Sequence, residues 1–258
     1  MLLETKNLSR SYGGVAAVSQ VDFEVKEGLI TGLIGPNGAG KTTLFNNISG
    51  LDTPSSGNVY FRGRDITNMS AHKICRMGIA RTFQNIRLFK ELSVLENVMV
   101  GLHFKTGKSA TKGRSGSAIR SFLQVRGEYA EMYESALKWL KFFSLDPFQN
   151  ELAKNLPYGH QRELEIARAL ATNPTIIFLD EPAAGMNPNE TASLMGTIRR
   201  IRDLGITVVL IEHDMKLVMN ICDTITVLNY GIKIAQGTPN EVRHDEKVIE
   251  AYLGKEEE

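Results

Sequence analysis

The hydrophobic pattern changes character along the chain, and each change marks an element. From Val21 to Lys26 the order Val, Asp, Phe, Glu, Val, Lys alternates apolar and polar, which predicts a half-solvated antiparallel strand. Leu29 to Ile34 is a short apolar run ending in Gly35, the pattern of a strand buried on both faces, and glycines then lead into a helix-competent stretch from Thr42 to Ser49. A strand, loop, helix unit is expected there. Thr175 to Leu179 and Ile206 to Ile211 repeat the buried-strand pattern and end in acidic or histidine residues, so a parallel sheet with functional strand ends is implied. Between these runs, Asn187, Pro188 and Asn189 precede apolar residues at 194, 198, 201 and 204, and Gly205 follows. Those are the cap, start, apolar face and stop of a crossover helix.

From about Leu92 to Ala171 the pattern is mostly helical, including Tyr129 to Phe143, and predicts an inserted helical subdomain joined near Phe89 and Pro174. Within it, Gly101 to Gly127 holds six basic residues and no acidic ones, a solvated loop or else a patch for lipid head groups or a partner. Ile225 to Leu228, Asn229-Tyr230-Gly231 and Ile232 to Ala235 read as a hairpin, and Lys255 to Glu258 as a solvated end.

The 258 residues are 42% hydrophobic and 23% charged, enough for a full core, and their net charge of +1 gives no bulk attraction to nucleic acid or anionic membrane. Any polyanion must therefore be bound locally. Cys75 and Cys222 are far apart and suggest neither a metal site nor a disulfide framework, as expected of a reduced intracellular compartment. Glu4 interrupts the start, and no apolar run approaches about 18 residues, so neither a secretory signal nor a membrane span is expected.

Local chemistry appears at Gly35-Pro36-Asn37-Gly38-Ala39-Gly40-Lys41-Thr42, which fits the phosphate-loop pattern G-x-x-x-x-G-K-[ST]. The glycines let backbone N–H groups converge on phosphate oxygens at the positive end of the following helix. Lys41 supplies a point charge near the terminal phosphates, the Thr42 hydroxyl is placed for Mg²⁺, and Thr43 stands beside it. Ile176-Ile177-Phe178-Leu179 then delivers Asp180 as a Mg²⁺ ligand through water and Glu181 as the base for an attacking water. Asn-Lys-x-Asp and Asp-x-x-Gly are both absent from the sequence, which disfavours guanine specificity.

With these motifs in order, the chain resembles the ATP-binding cassette (ABC) proteins over nearly its whole length. The resemblance implies an α/β fold: a P-loop NTPase (RecA-like) core with an antiparallel β subdomain and an inserted α-helical subdomain. The single domain would divide into core and β parts at about 1–89 and 172–240, a helical part at about 90–171, and a C-terminal extension at 241–258. Tyr12 stands where the family stacks an aromatic ring on adenine, and Gln84 in Arg81-Thr82-Phe83-Gln84-Asn85 fits the Q-loop glutamine, which touches Mg²⁺ and water. Leu156-Pro157-Tyr158-Gly159-His160-Gln161 aligns with the signature, so Tyr158, Gly159 and His160 would face the ATP of a second subunit. Pro157 replaces the usual serine and His160 the usual glutamine, which removes the hydroxyl contact. His213 matches the switch histidine that orients the γ-phosphate, and Ala184-Gly185-Met186-Asn187 the dimer-contacting D-loop, with Asn187 where aspartate is commoner.

The wording of residues 81–89, 180–188, 211–215 and 248–254 is similar to the ATP subunits of branched-chain amino-acid importers, with urea or amide importers and non-transport cassette ATPases as alternatives. The resemblance implies ATP and Mg²⁺ as cofactors and a second ATPase subunit, identical or related, closing head to tail around two ATPs. It also implies two transmembrane permease subunits, docked around Gln84, Ile86, Leu88 and Phe89, an indirect solute-binding protein, and no nucleic-acid partner. The chain would then sit in the cytoplasm on the inner face of the membrane.

Overall fold

The computed structural model describes residues 1–106 and 118–253, with side chains for 1–102 and 129–252. The chain forms two compact units, residues 1–84 with 175–258 and residues 85–174.

The first unit opens with β1 (Leu3–Tyr12), β2 (Val15–Val21) and β3 (Glu24–Val25). Val21, Phe23 and Val25 are fully buried, as their alternation predicts, but the strand breaks at Asp22, whose carboxylate accepts the Asn7 N–H at 2.6 Å. Strand β4 (Ile30–Ile34) is buried at every residue and leads through the glycine loop into α1 (Lys41–Ile48). Three strands unannounced by the pattern follow, β5 (Ser56–Phe61), β6 (Arg64–Asp65) and, after α2 (Ala71–Arg76), β7 (Ile79–Arg81). The first sheet runs β2-β1-β5-β6, with β3 against β1, and its strand pairs are antiparallel.

After the second unit the chain adds β8 (Ile176–Asp180), α6 (Pro188–Asp203), β9 (Thr207–Ile211), α7 (Met215–Ile221), the hairpin β10 (Thr224–Asn229) and β11 (Ile232–Gly237), and α8 (Pro239–Arg243) and α9 (Glu246–Leu253). In α6, Asn187 caps the N–H groups of Asn189 and Glu190, and Glu190 closes a capping box on the Asn187 N–H. Leu194, Ile198 and Ile201 are buried, whereas Leu204, read from its spacing as part of the same face, is 56% exposed because the helix ends one residue earlier. The β10–β11 turn is narrower than its three-residue reading: only Tyr230 and Gly231 lie between the strands, both at positive φ.

The second sheet runs β11-β10-β4-β9-β8-β7, parallel from β10 through β7. Parallel neighbours end on the same edge, so the loops after β4, β9, β8 and β7 emerge together. Underneath, Phe45 of α1 meets Phe178 of β8 edge to face at 4.8 Å within a core that includes Leu33, Leu44, Val209 and Ile211. Each such side chain contributes about 1.5–3 kcal/mol on burial, which holds α1 against the strands that deliver the loops.

The second unit contains α3 (Val94–Thr106), α4 (Ala118–Phe142) and α5 (Tyr158–Ala171). The basic stretch read as a loop over 101–127 is helical over 101–106 and 118–127, and the remainder lies outside the described residues.

Candidate active site

The loop after β4 is shaped by its glycines. A Cβ on Gly35 would lie 2.1 Å from the Leu228 carbonyl oxygen, and one on Gly40, at φ +97°, 2.3 Å from that of Ala17. Neither place admits a larger residue. Gly40 is also the N-cap of α1, where no side chain caps the helix and no acidic residue occupies the first turn. The first N–H groups of α1 are therefore open to an anion. Lys41 folds its ammonium back to donate to the Gly35 carbonyl at 2.6 Å and the Pro36 carbonyl at 2.9 Å. Burial lowers its pKa, and this outweighs the opposing fields of Glu181 and Asp180. A desolvated cation bonded to carbonyl oxygens gains from an arriving phosphate.

Residues 37–43, Ala17, Gln84 and Glu181 line one cleft of about 300 Å³. Glu181 follows β8 at φ +47°, with its N–H donating to the Ile211 carbonyl at 3.0 Å. Such backbone costs a non-glycine residue about 1–3 kcal/mol. The Gln84 amide donates to Glu181 Oε2 at 2.9 Å, and His213 Nδ1 lies 3.9 Å from the same oxygen. Three strand ends thus meet at one carboxylate.

Asp180, one residue earlier, is buried and accepts from Arg81 Nη2 at 2.8 Å. Arg81 also donates to Asn46 Oδ1 at 2.8 Å and Ser49 Oγ at 3.0 Å, and its guanidinium lies 5.5 Å from the Phe45 and 5.3 Å from the Phe83 ring centres. The cation joins β7, β8 and α1. Among the described residues there is no group of three or more His, Cys, Asp or Glu able to hold a metal. Thr42 and Gln84 line the cleft, whereas Asp180 does not and is paired with Arg81; Mg²⁺ needs no protein cage, being held by one or two carboxylates together with substrate phosphates.

A second buried acid stands at the end of the neighbouring strand. Glu212, just past β9, is 1% exposed; its Oε1 accepts the Ala183 N–H at 2.8 Å and its Oε2 the His213 N–H at 3.3 Å. Burial raises its pKa, against the hydrogen bond from Ala183 and the neighbouring His213.

Tyr12 does not line the cleft but lies on the hairpin whose return strand supplies Ala17. The residue is 46% exposed, and the Arg10 guanidinium covers one face of its ring at 4.5 Å.

In the second unit, Pro157 takes the N-cap position of α5 and offers no side-chain hydrogen bond. Tyr158, the first helical residue, is exposed, and its hydroxyl accepts from Arg162 at 3.3 Å. Arg162 is itself fully buried and paired with Glu165 at 2.9 Å, while Glu165 accepts the Arg87 N–H at 3.1 Å. Gly159 follows Tyr158 in the first turn, and the His160 ring packs on Phe148 at 5.3 Å. Phe89, expected on a docking surface, is 49% exposed beneath the Arg168 guanidinium at 5.5 Å, while Ile86 and Leu88 are half-buried.

The sequence reading assigned no role to Arg10, Asp52, Arg81, Glu212 or the Arg162–Glu165 pair. Glu212 alone carried a usable signal, since it follows a buried strand as Asp180 does.

A family model described as ABC transporter matches residues 18–184, and one described as branched-chain amino acid ATP-binding cassette transporter matches residues 233–258. The high-affinity branched-chain amino acid transport ATP-binding protein BraF of Pseudomonas aeruginosa is 44% identical over 255 residues, covering 98% of each chain. A crystal structure of a nucleotide-free ATP-binding cassette from an ABC transporter superposes with a TM-score of 0.83 at 35% identity, over 98% of this chain and 99% of that one. A dimeric cassette in a post-hydrolysis state, bound to ADP and Pi, does so with 0.76 at 28%, over 92% and 98%. The fold is accordingly the α/β P-loop NTPase fold that the resemblance implied.

Proposed function

The chain belongs to the ABC transporter family, and from that premise we propose that it is the ATP-hydrolysing subunit of an importer for branched-chain amino acids. The observation that carries hydrolysis is the Glu181 carboxylate in the phosphate-loop cleft, within 2.9 Å of Gln84 and 3.9 Å of His213. The solute rests on the match at residues 233–258 and on the function named for BraF.

In this reading the uncapped first turn of α1, together with the Lys41 ammonium, receives the phosphates, and Tyr12 stacks on adenine. Glu181 accepts the proton of the attacking water, while Gln84 and His213 orient that water and the γ-phosphate. Thr42, Gln84 and Asp180 would hold Mg²⁺, whose charge offsets that of the phosphates. Tyr158, Gly159 and His160 serve the ATP of a partner cassette, so ATP favours the closed pair and its hydrolysis releases it. The dimeric cassette structure supports such a partner. No helix among the described residues is long and apolar enough to cross a membrane. In this reading separate permease subunits span it, with this chain on their cytoplasmic side.

Glu181→Gln keeps the shape and removes the base. It is expected to slow ATP turnover by at least about a hundredfold, the lower range for general-base loss, and to accumulate an ATP–Mg²⁺ dimer on size exclusion. Undiminished turnover would remove Glu181 from its role.

A further inference from the structure

Tyr12 is held by a clamp that spans two distant parts of the chain. Arg10, two residues earlier on β1, grips Asp52 with its Nε at 2.9 Å from Oδ2 and its Nη2 at 2.7 Å from Oδ1. The Tyr12 hydroxyl donates to the same Oδ2, and the Arg10 guanidinium lies over the Tyr12 ring. Asp52 is fastened in turn, because its N–H and that of Leu51 donate to the Asn46 carbonyl of α1 at 3.2 and 3.0 Å. Helix α1 begins at Lys41, so the helix that opens at the phosphate loop also anchors the tyrosine.

Three features separate this arrangement from ordinary surface packing. An exposed phenol normally rotates freely, whereas this one is fixed at its ring and its hydroxyl. The Arg10 fork is bidentate on Asp52, a geometry that fixes the plane of the guanidinium and with it the face of the ring it covers. Finally, a guanidinium on one ring face attracts that face's negative charge, leaving the opposite face better suited to the π-surface of a base. Burial alone would raise the Asp52 pKa, but hydrogen bonds from Tyr12, Thr53 and Arg10 hold it below the ordinary carboxylate value, so the clamp is charged at neutral pH.

We propose that Arg10 and Asp52 are positioning residues that fix Tyr12 as a shelf for the nucleotide base, at a distance from the phosphate loop set by α1. This deepens the ATPase reading and rests on it. A pre-fixed shelf spares the ordering of one side chain on binding, which corresponds to about two- to tenfold in affinity.

The test compares the dissociation constants of ATP and of inorganic tripolyphosphate, which has no base, for wild type, Asp52→Ala, Asp52→Asn, Arg10→Lys, Tyr12→Ala and Tyr12→Ala/Asp52→Ala. Asp52→Ala is expected to weaken ATP about two- to tenfold, with KM raised by the same factor, kcat retained and tripolyphosphate binding unmoved. Asp52→Asn keeps an acceptor for the hydroxyl and recovers part of the loss, and Arg10→Lys keeps the cation without the fork and does likewise. In the Tyr12→Ala background, Asp52→Ala has no further effect. An ATP affinity unaltered by Asp52→Ala, an equal loss for tripolyphosphate, or an equal loss without Tyr12 overturns the clamp alone. Failure of the wild type to take up ATP removes the ATPase reading and the clamp with it.

Discussion

Arg81 ties the strands that frame the cleft to α1. Its ion pair with Asp180 is 2.8 Å long between side chains only 7% and 4% exposed, and the same guanidinium ties Asn46 and Ser49 of α1 to the sheet. Arg81→Leu keeps apolar bulk beside Phe45 and Phe83 but strands a buried carboxylate. Removing one partner of a buried pair costs about 3–5 kcal/mol, a large part of the roughly 5–15 kcal/mol that stabilises a typical domain. For a chain of this size each kcal/mol moves Tm by about 2–4 °C, so the variant is expected to melt roughly 6–20 °C below wild type in a calorimetric scan. Arg81→Leu/Asp180→Asn removes both charges and is expected to regain most of the loss, giving a coupling of about 3 kcal/mol in a double-mutant cycle. A single-variant loss below about 1 kcal/mol, or a double variant no better than the single, would refute the view that a desolvated charge is what Arg81 neutralises.

Gly40→Ala forces a Cβ to 2.3 Å from the Ala17 carbonyl at φ +97°; we expect folded protein, with stability lowered by at least about 1–3 kcal/mol, that gives no ATP heat in calorimetry. Normal ATP binding would show that the loop can shift. Glu212 gives a pH signature. Its carboxyl is raised above the ordinary value of 4.5 by burial, so the folded state holds the proton longer than the unfolded chain, and wild-type stability falls as pH rises from 4.5 through the raised value. Gln at this position retains an acceptor for the Ala183 N–H and does not titrate. The stability of Glu212→Gln relative to wild type is therefore expected to improve across that window in urea unfolding, with Glu181 and His213 as the neighbouring titratable groups. A difference independent of pH would contradict this.

The local pattern of the sequence determined a good deal. The apolar runs at Leu29–Ile34, Thr175–Leu179 and Ile206–Ile211 mark the strands Ile30–Ile34, Ile176–Asp180 and Thr207–Ile211, each buried at every residue. The phosphate loop is legible for a similar reason, since its glycine spacing answers a local steric requirement at Gly35 and Gly40. The cap at Asn187 likewise acts within a few residues of itself. Strands β5 and β6 were not legible, because Ser56–Phe61 alternates weakly and is defined by pairing with the distant β1.

Only the tertiary structure decided which polar side chains meet. Gln84 and Glu181 are 97 positions apart, Arg81 and Asp180 are 99 apart, and Tyr12 and Asp52 are 40 apart. Periodicity carries no information across such separations. These meetings follow from the parallel strand order β4-β9-β8-β7, which brings the strand ends to one edge, and from α1, which packs beneath them and fastens Asp52 at its far end.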